Sequence, residues 1–287
     1  MASRQKGSPR RFVLTGCASG IGRHLTLELL QRGHRVLATD VDAQGLETLA
    51  HDAADAASRL LTEPLDVCDP EAWERVLDRA DAEWDGFDGV MNIAGVLRPA
   101  EVKDLTVDDV HFHFDINVKG VIFGTRAAAR RLVKRAGGSR VDGPHIVNVA
   151  SLASLAPIPG MSLYSASKYA VRAFSLAAAS ELRTHGIAVT AVCPDAVATP
   201  MLDLQLDYPE AALTFTAPKV LTVEDVASVI LRKVLPKRPL MVAFPRSRAL
   251  LARFADLFPG AQNLIAGVLR RQGLKKQQRA KERAAQR

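Results

Sequence analysis

The chain has 287 residues, of which 48% are hydrophobic and 24% are charged, and its formal net charge is +7 at pH 7. This composition is typical of a folded globular protein and excludes a disordered, collagen-like or disulfide-scaffold chain. The length fits one large α/β domain or two smaller domains.

Short apolar runs alternate with longer segments of helical periodicity along most of the chain. The apolar runs predict strands at 11–15, 34–40, 90–95, 145–151, 187–194 and 239–244. The clearest helical segments between them lie at 22–33 and 71–84. Strands that are apolar at successive positions and are followed by helices are typical of a parallel sheet. We therefore predict the α/β class, with a single Rossmann-like, doubly wound parallel sheet and helices on both of its faces.

A glycine-rich turn joins the first predicted strand to the first helix. It reads Thr15-Gly16-Cys17-Ala18-Ser19-Gly20-Ile21-Gly22, with the spacing GxxxGxG. Glycine lets the backbone turn sharply and approach a pyrophosphate, and the N-terminus of the following helix supplies free N–H groups and the positive end of its dipole. The turn therefore predicts a dinucleotide-binding loop, with a tight turn that binds nothing as the alternative.

An acidic residue, Asp40, ends the second predicted strand, about twenty residues after the glycine loop. A carboxylate at this place can accept hydrogen bonds from the adenosine ribose hydroxyls and repels a 2′-phosphate. Positions 19 and 41 hold Ser and Val, so neither supplies a base for that phosphate. The sequence thus predicts NAD as cofactor in preference to NADP.

A second group of polar residues follows the strand at 145–151. Ser151 ends that strand, and the run Tyr164-Ser165-Ala166-Ser167-Lys168 begins thirteen residues later. Tyr164 and Lys168 lie on the same side of a helix, because they are four residues apart. A nearby ammonium and a nicotinamide cation favour the phenolate, which brings a tyrosine pKa toward neutral pH. This group is therefore a candidate for acid–base catalysis.

Together these motifs resemble the compact subtype of the short-chain dehydrogenase/reductase family, over about residues 10–245. The matches run in chain order: TGCASGIG at 15–22, Asp40, Asp66-Val67, Asn92-Ile93-Ala94-Gly95, Asn117, Ser151, YSASK at 164–168, and Pro194 to Thr199. The resemblance implies an alcohol dehydrogenase or ketone reductase with a catalytic tetrad of Asn117, Ser151, Tyr164 and Lys168. It also implies cofactor contacts from Gly16, Ser19, Gly20, Ile21, Gly22, Asp40, Asp66, Val67, Asn92, Ala94, Gly95, Tyr164, Lys168, Pro194, Val197 and Thr199.

The resemblance also assigns a role to each member of the tetrad. Tyr164 is expected to transfer the proton, and Ser151 to hydrogen-bond the carbonyl or alcohol oxygen. Lys168 is expected to hold the nicotinamide ribose and to lower the tyrosine pKa, while Asn117 positions a water in a proton relay. The backbone of Val197 and the side chain of Thr199 are expected to contact the nicotinamide carboxamide.

Two residues depart from the family pattern. Ile93 replaces the second Asn of NNAG, and Asp195 replaces the Gly that usually follows the proline after the sixth strand. A carboxylate at position 195 either binds a hydroxyl or amine of the substrate or, as we expect, points away and caps a turn.

The segment after Thr199 is expected to cover the substrate, as it does in this family. Its apolar residues, together with Met161, would line an apolar pocket if they face inward: Met201, Leu202, Leu204, Leu206, Tyr208, Leu213 and Phe215. This predicts a hydrophobic alcohol or ketone, such as a lipid, steroid or terpenoid. A lid that packs only on its own domain is the alternative.

Three segments are expected to lie outside the dinucleotide-binding domain at 11–245. Residues 1–10 are predicted to be a flexible basic N-terminus, residues 246–272 an amphipathic helical extension, and residues 273–287 a disordered basic tail. In the extension an apolar stripe recurs with helical spacing at Leu250, Leu251, Phe254, Leu257 and Phe258. The extension could lie on an anionic membrane, pack across a subunit interface or cover the substrate cleft, and the membrane contact is not the favoured alternative.

The ends of the chain carry most of its positive charge. Residues 1–11 hold four bases and no acid, and residues 270–287 hold eight bases and one acid, so the stretch between them has a net charge of −4. A nucleic-acid-binding protein places its bases on a face of the folded domain. We therefore expect no nucleic-acid partner. The resemblance implies instead a homodimer or homotetramer built on long helices near 109–136 and 162–185.

The three cysteines, Cys17, Cys68 and Cys193, are widely spaced and form no CxxC or Cys/His cluster. This spacing suggests neither disulfides nor a metal site. The apolar run after the basic N-terminus ends at Gly16, too early for a signal peptide or a membrane span. A cytoplasmic location is expected.

Two other functions remain as alternatives. A non-catalytic dinucleotide sensor or scaffold could use the same fold, but the complete set of four catalytic residues counts against it. A nucleotide-sugar epimerase or dehydratase shares the YxxxK motif, but its usual glycine spacing and larger substrate domain are absent.

Overall fold

A sheet of seven parallel strands forms the centre of the protein. The computed structural model describes residues 9–135 and 143–284. The strands are β1 (Arg11–Thr15), β2 (Arg35–Asp40), β3 (Leu60–Pro64), β4 (Gly89–Asn92), β5 (His145–Val149), β6 (Ala188–Pro194) and β7 (Met241–Phe244). Their order across the sheet is β3-β2-β1-β4-β5-β6-β7. The strand order reverses between β1 and β4, and open α/β sheets bind their ligands at such a reversal.

Helices cover both faces of the sheet and extend beyond it at the C-terminus. They are α1 (Gly20–Gln31), α2 (Ala43–Asp52), α3 (Pro70–Trp84), α4 (Val107–His113), α5 (Gly120–Arg135), α6 (Ser162–Arg183), α7 (Pro200–Asp203), α8 (Val223–Val229), α9 (Leu235–Lys237), α10 (Arg246–Leu257) and α11 (Pro259–Ala284). A π-helical turn, Phe114–Lys119, joins α4 to α5, and 3₁₀ turns at Leu204–Asp207 and Pro209–Thr216 follow α7. The predicted doubly wound α/β class is confirmed.

Apolar side chains of the strands pack into two cores, one on each face of the sheet. On one face, residues such as Leu14 and Val36 pack against α1 and α8. On the other face, α3 and α5 cover residues such as Val13 and Val90. Trp73 of α3 is fully buried there, and its indole N–H donates to the Val67 carbonyl at 3.1 Å. This bond holds the loop after β3 against the helix layer.

The sequence predicted six of the seven strands and missed β3. This strand reads LLTEP and lies at the edge of the sheet, and of its five residues only Leu60 is buried. Edge strands are solvated on one side and carry polar residues, so β3 lacks the continuous apolar run of a central strand.

The predicted disordered tail was wrong for residues 273–284, which continue helix α11 to Ala284. Gln277 is 4% exposed, and its side-chain amide donates to the carbonyls of Gln205 (2.7 Å) and Tyr208 (2.8 Å). At Gly273 the helix approaches Ala212 so closely that an added Cβ would lie 2.1 Å from the Ala212 carbonyl oxygen. The contacts use a glycine and an amide, so no apolar periodicity marked this packing in the sequence.

The remaining ends of the chain are only partly described. Of the predicted flexible N-terminus, residues 1–8 lie outside the described residues, as do 285–287 at the other end. Arg10 is described, and its backbone N–H donates to His34 Nδ1 at 3.0 Å. Among residues 9–135 and 143–284, no helix is long and apolar enough to cross a membrane, and no three His, Cys, Asp or Glu side chains are grouped to hold a metal ion.

The packing of α11 is tested by Gln277→Ala, with the exposed neighbour Gln278→Ala as the matched control. Removing the Gln277 amide deletes two hydrogen bonds, although each carbonyl keeps a backbone donor, the N–H of Tyr208 or of Ala211. The loss costs about 0.5–1.5 kcal/mol for each bond. We expect trypsin to cleave after Lys275, Lys276 or Arg279 faster in Gln277→Ala, while Gln278→Ala is cleaved at the wild-type rate. Equal cleavage of all three proteins would contradict the packing of the tail.

Candidate active site

A cavity of about 660 Å³ lies at the carboxyl edge of the sheet, where the loops after β1, β4, β5 and β6 converge. Most residues that the sequence singled out line this cavity: Gly16, Ser19, Gly20, Ile21, Gly22, Asp40, Asp66, Val67, Ala94, Gly95, Ser151, Tyr164, Lys168, Pro194, Val197 and Thr199. One continuous cavity therefore holds both the predicted dinucleotide loop and the predicted catalytic group.

The glycine loop has a shape that side chains would block. Gly16 and Gly20 have positive φ angles of 71° and 52°. A Cβ on Gly22 would lie 2.0 Å from the Gly16 carbonyl oxygen, so only glycine lets α1 begin this close to β1. Ser19 caps α1 without a side-chain hydrogen bond, and the described first turn of α1 contains no acidic residue. The N–H groups at this helix end therefore fit the pyrophosphate of a dinucleotide.

Two carboxylates, those of Asp40 and Asp66, line this part of the cavity. Asp40 Oδ2 accepts the Ala18 N–H at 2.9 Å, so the carboxylate also supports the glycine loop. Asp66 Oδ1 accepts the Cys68 N–H at 2.8 Å. Carboxylate oxygens each accept more than one hydrogen bond, so both groups keep the capacity to bind hydroxyls of a ligand.

Asn92 and Asn117 do not line the cavity. The side-chain amide of Asn92 is buried behind the β4 loop and donates to Asn148 Oδ1 at 2.8 Å, so it does not reach the cavity, and its cofactor contact stays a prediction. Asn117 lies in the π-helical turn, where its Oδ1 accepts the Val96 N–H at 2.8 Å and its Nδ2 donates to the Val96 carbonyl and to Ser167 Oγ, both at 3.0 Å. Its side chain therefore joins the β4 loop to α6.

Ser151, Tyr164 and Lys168 meet in the cavity as the sequence predicted. Ser151 follows β5, and its Oγ accepts the Ala153 N–H at 3.1 Å. Tyr164 and Lys168 lie one turn apart on α6, with the Lys168 ammonium 5.7 Å from the centre of the tyrosine ring. That ammonium donates to the Val149 carbonyl at 3.0 Å and is almost fully buried.

Burial moves both pKa values in this group away from their ordinary positions. It raises the pKa of Tyr164, and hydrogen bonding with Ser151 acts in the opposite direction without reversing the shift. Burial also lowers the pKa of Lys168 to about 8. The expected lowering of the tyrosine pKa is therefore not present in the protein alone, because the cost of burying a phenolate exceeds the effect of its neighbours.

The other half of the cavity is apolar, and the segment after Thr199 supplies part of its wall. Of the side chains that the sequence proposed for this wall, these line the cavity: Met161, Met201, Leu202, Leu204 and Leu213. Leu206, Tyr208 and Phe215 do not. Phe215 is buried against the domain, and Tyr208 is 45% exposed, so this segment combines a cavity wall with the plain domain packing that was its alternative.

Other parts of the chain also supply wall residues, none of which the sequence assigned to the cavity by position, although a C-terminal extension that covers the cleft was one of its alternatives. The loop before α4, α4 itself, the loop before α6 and the two C-terminal helices contribute apolar side chains: Leu97, Phe112, Pro157, Ile158, Leu251, Ala252, Ala255 and Leu269. These residues are far apart in the chain and follow no local motif. The amphipathic stripe in the extension was the one available signal, and only Leu251 of that stripe reaches the cavity.

Asp195 holds the C-terminal extension to the site. Its Oδ2 accepts Arg248 Nε at 2.8 Å, its Oδ1 accepts the Ala196 N–H at 3.0 Å, and the carboxylate is 11% exposed. Asp256, two turns after Arg248 on α10, accepts the Tyr169 hydroxyl at 2.7 Å. The residue that departs from the family pattern therefore does not point away from the site, contrary to expectation, because it lines the cavity and binds α10.

Comparison with known proteins agrees with this geometry. A family model described as short chain dehydrogenase matches residues 10–207. The chain belongs to this family. Cyclopentanol dehydrogenase of Comamonas sp. (strain NCIMB 9872) is 36% identical over 214 residues, which are 73% of this chain and 81% of that protein. The 2-(R)-hydroxypropyl-CoM dehydrogenase of Xanthobacter autotrophicus is 34% identical over 206 residues, 70% of this chain and 80% of the relative.

Other short-chain dehydrogenase relatives match in part or in fold. Probable oxidoreductase EphD of Mycobacterium tuberculosis is 33% identical over 201 residues. The match covers 68% of this chain but only 33% of that relative's length. The solved short chain dehydrogenase from Mycobacterium paratuberculosis, bound to NAD, has a TM-score of 0.73 at 25% sequence identity. The match covers 84% of this chain and 98% of that chain. A Burkholderia phymatum enzyme in complex with NAD shares the fold, with a TM-score of 0.79 at 23% identity over 90% and 97% of the two chains.

These findings establish the general class of the protein. It has the NAD(P)-binding Rossmann fold of the short-chain dehydrogenases, which are oxidoreductases, and its glycine loop fits a nicotinamide dinucleotide. The residues that would hold this cofactor are those of the glycine loop, the carboxylates after β2 and β3, and the segment from Pro194 to Thr199.

The fit of the glycine loop is tested by Gly22→Ala. The added methyl would meet the Gly16 carbonyl, so the loop or the start of α1 must shift and lose the pyrophosphate contacts. We expect dinucleotide affinity, measured by calorimetry, to fall at least about tenfold, or ~1.4 kcal/mol. Gly267→Ala, where a methyl meets open space, is the control and should bind as the wild type does. Unchanged affinity in a folded Gly22→Ala protein would argue against this binding mode.

Proposed function

We propose that this protein is an NAD-dependent dehydrogenase that interconverts a hydrophobic secondary alcohol and its ketone. The observation that carries the proposal is the single cavity in which Ser151, Tyr164 and Lys168 stand between the glycine loop and an apolar wall. Its relatives named as dehydrogenases of cyclopentanol and of 2-(R)-hydroxypropyl-CoM support the alcohol chemistry.

The acid–base group can bind and move one proton at the substrate oxygen. The Ser151 hydroxyl and the Tyr164 hydroxyl both line the cavity, so both can hydrogen-bond an alcohol or carbonyl oxygen there. In oxidation, the alcohol proton passes to the phenolate oxygen of Tyr164, while the carbon that bears the hydroxyl loses its hydride. In reduction, the Tyr164 hydroxyl returns the proton to the carbonyl oxygen. When bound, the nicotinamide dinucleotide supplies the hydride acceptor or donor.

Lys168 and Asn117 act around that proton transfer. A protonated Lys168 favours the phenolate form of Tyr164, and its position beside Gly95 fits the binding of a ribose hydroxyl. The atoms of the Asn117 side chain are engaged by Val96 and Ser167. We therefore assign Asn117 a positioning role between the β4 loop and α6 and keep its part in a proton relay as a proposal.

The apolar half of the cavity defines the class of substrate. Side chains such as Leu97, Ile158 and Met201 offer no hydrogen bonds to a polyol. Polar groups of the lining already bind each other, Thr214 with Gln205 and Arg248 with Asp195, each at 2.8 Å. A polar chain would therefore exchange its bonds to water for fewer bonds in the cavity. A lipid-, steroid- or terpenoid-like alcohol instead gains about 25 cal/mol for each Å² of apolar surface that leaves water.

The non-catalytic alternative is a dinucleotide-binding sensor or scaffold. It requires only the cofactor half of the cavity. The apolar half, joined to the intact acid–base group, would have no use in such a protein, so catalysis is the preferred proposal.

The proposal includes an assembly and a location. We propose a homodimer or homotetramer built on α4, α5 and α6, as the family resemblance implies. A cytoplasmic location agrees with Cys17, Cys68 and Cys193, which are free thiols in the described chain.

Tyr164→Phe tests the catalytic assignment, with Tyr208→Phe on the exposed side of the lid as the matched control. Loss of the phenol oxygen removes the proton acceptor, so NAD-dependent turnover of secondary alcohols graded in apolar bulk should fall by roughly 10²- to 10⁴-fold. Tyr208→Phe should turn over at the wild-type rate, with kcat/KM rising with apolar bulk. A wild-type protein that binds NAD and turns over none of these alcohols would favour the sensor.

Asp40 is the proposed determinant of cofactor choice. The double substitution Asp40→Asn with Val41→Arg removes the repelling carboxylate and adds a base beside it, since Val41 also lines the cavity. We expect the ratio of kcat/KM with NAD to kcat/KM with NADP to fall by about tenfold or more, which corresponds to ~1.4 kcal/mol. A wild-type enzyme that prefers NADP, or a ratio that the double substitution leaves unchanged, would contradict this role.

A further inference from the structure

Helix α10 turns its large apolar side chains away from the domain that it packs on. Leu250, Leu251, Phe254, Leu257 and Phe258 are each more than half exposed, and we call these five residues the α10 ridge. The rings of Phe254 and Phe258 pack against each other with centroids 4.9 Å apart. The ridge is the same stripe that the sequence marked as an amphipathic face.

The contacts of α10 with the domain use different residues. Ala249 and Ala252 are buried, Arg248 binds Asp195, and Asp256 binds Tyr169. Small side chains and polar contacts therefore orient the helix, and this orientation presents the ridge to the outside. A soluble helix normally buries its apolar stripe, so an outward stripe of this size marks a binding surface.

The charge around the α10 ridge indicates what covers it. Residues 246–284 carry ten bases and two acids, a net charge of +8, whereas the rest of the chain has a net charge of −1. Arg246 and Arg253 are exposed on α10 itself. An apolar helix face flanked by bases is the pattern of a helix that lies in the surface of an anionic membrane.

A second copy of the chain fits the ridge less well. A two-fold interface would place the ridge of one subunit on the ridge of its partner and bring two segments of charge +8 together. Repulsion between like charges opposes that arrangement. A layer of anionic lipid offers both the apolar interior and the opposite charge.

The ridge also continues into the cavity. Leu251 belongs to the ridge and lines the cavity, and Ala255 lines it one turn further along. A protein seated on lipid by this ridge would hold the apolar half of its cavity at the membrane surface.

We propose that the α10 ridge seats this protein on anionic lipid membranes, as a peripheral contact. Phe254, Leu257 and their neighbours enter the boundary between headgroups and acyl chains, and the exposed bases of α10, Arg246 and Arg253, bind the lipid phosphates. The docking stands without the proposed function. The further step, in which an apolar alcohol passes from the lipid to the cavity, rests on that function.

Vesicle co-sedimentation of the full-length protein tests the docking. The probes are vesicles of phosphatidylcholine alone and of phosphatidylcholine with phosphatidylglycerol, at low and at high salt. We expect binding to the anionic vesicles that weakens in high salt, and little binding to the neutral ones. Absence of binding to anionic vesicles at low salt would overturn the proposal.

Three variants assign that binding to the ridge. Phe254→Gln with Leu257→Gln should lower the affinity for anionic vesicles by about tenfold or more. Arg246→Gln with Arg253→Gln should lower it less and reduce its salt dependence. Leu240→Gln, at an exposed apolar residue that precedes β7 and so lies at the amino end of that strand, is the control and should bind as the wild type does. A ridge variant that binds vesicles normally would refute the assignment.

Two further readouts separate membrane docking from self-association through the ridge. A tryptophan placed by Phe254→Trp should shift its emission to shorter wavelength when anionic vesicles are added. Light scattering then compares the wild type with the Phe254→Gln, Leu257→Gln variant. The proposal is wrong if the variant loses an oligomer that the wild type forms and the wild type does not bind anionic vesicles. The ridge would then be an interface between copies of the chain.

Dinucleotide binding and turnover of soluble alcohols are measured on the same ridge variant. We expect both to match the wild type, because the substituted residues lie outside the cavity lining. Vesicle binding without any alcohol turnover would leave the docking intact and contradict the proposed function alone.

Discussion

The parallel direction of all seven strands is the constraint on which the site depends. Because the carboxyl ends of β1, β4, β5 and β6 lie at one edge, four separate loops reach a common cavity. The strand order reverses between β1 and β4, which is where open α/β sheets bind their ligands. Within that space the buried Lys168 ammonium has a hydrogen bond to a backbone carbonyl, and a buried cation of this kind is stabilised by polar or negative partners.

The parts of this arrangement that depend on local sequence could be predicted. Glycine spacing, the four-residue step from Tyr164 to Lys168 and the placement of Ser151 after a strand each specify a local geometry. Because the strands are parallel, their carboxyl ends place these local structures at one edge of the sheet. For this reason the sequence found nearly the whole cofactor half of the cavity, although Asn92 proved to be buried behind it.

Features that depend on contacts between distant segments could not be predicted in the same way. Asn117 looks like a catalytic side chain in the sequence, yet its amide is used to bind Val96 and Ser167. Helix α11 packs through Gly273 and Gln277, which carry no apolar signal. The stripe on α10 was predicted to be amphipathic, but the direction it faces depends on buried Ala249 and Ala252 and on distant partners, among them Asp195, which binds Arg248. A glycine at position 195 would remove that partner.

The helix α11 also changes how the substrate lid can move. Its Gln277 binds the carbonyls of Gln205 and Tyr208, and Lys276 binds those of Thr216 and Ala217, so the lid is held along its outer side. A lid of this kind opens together with the helix that holds it, as one cooperative unit rather than as a loose loop. A ligand that passes under this lid would therefore require movement of the C-terminal helix, a segment far from the acid–base group.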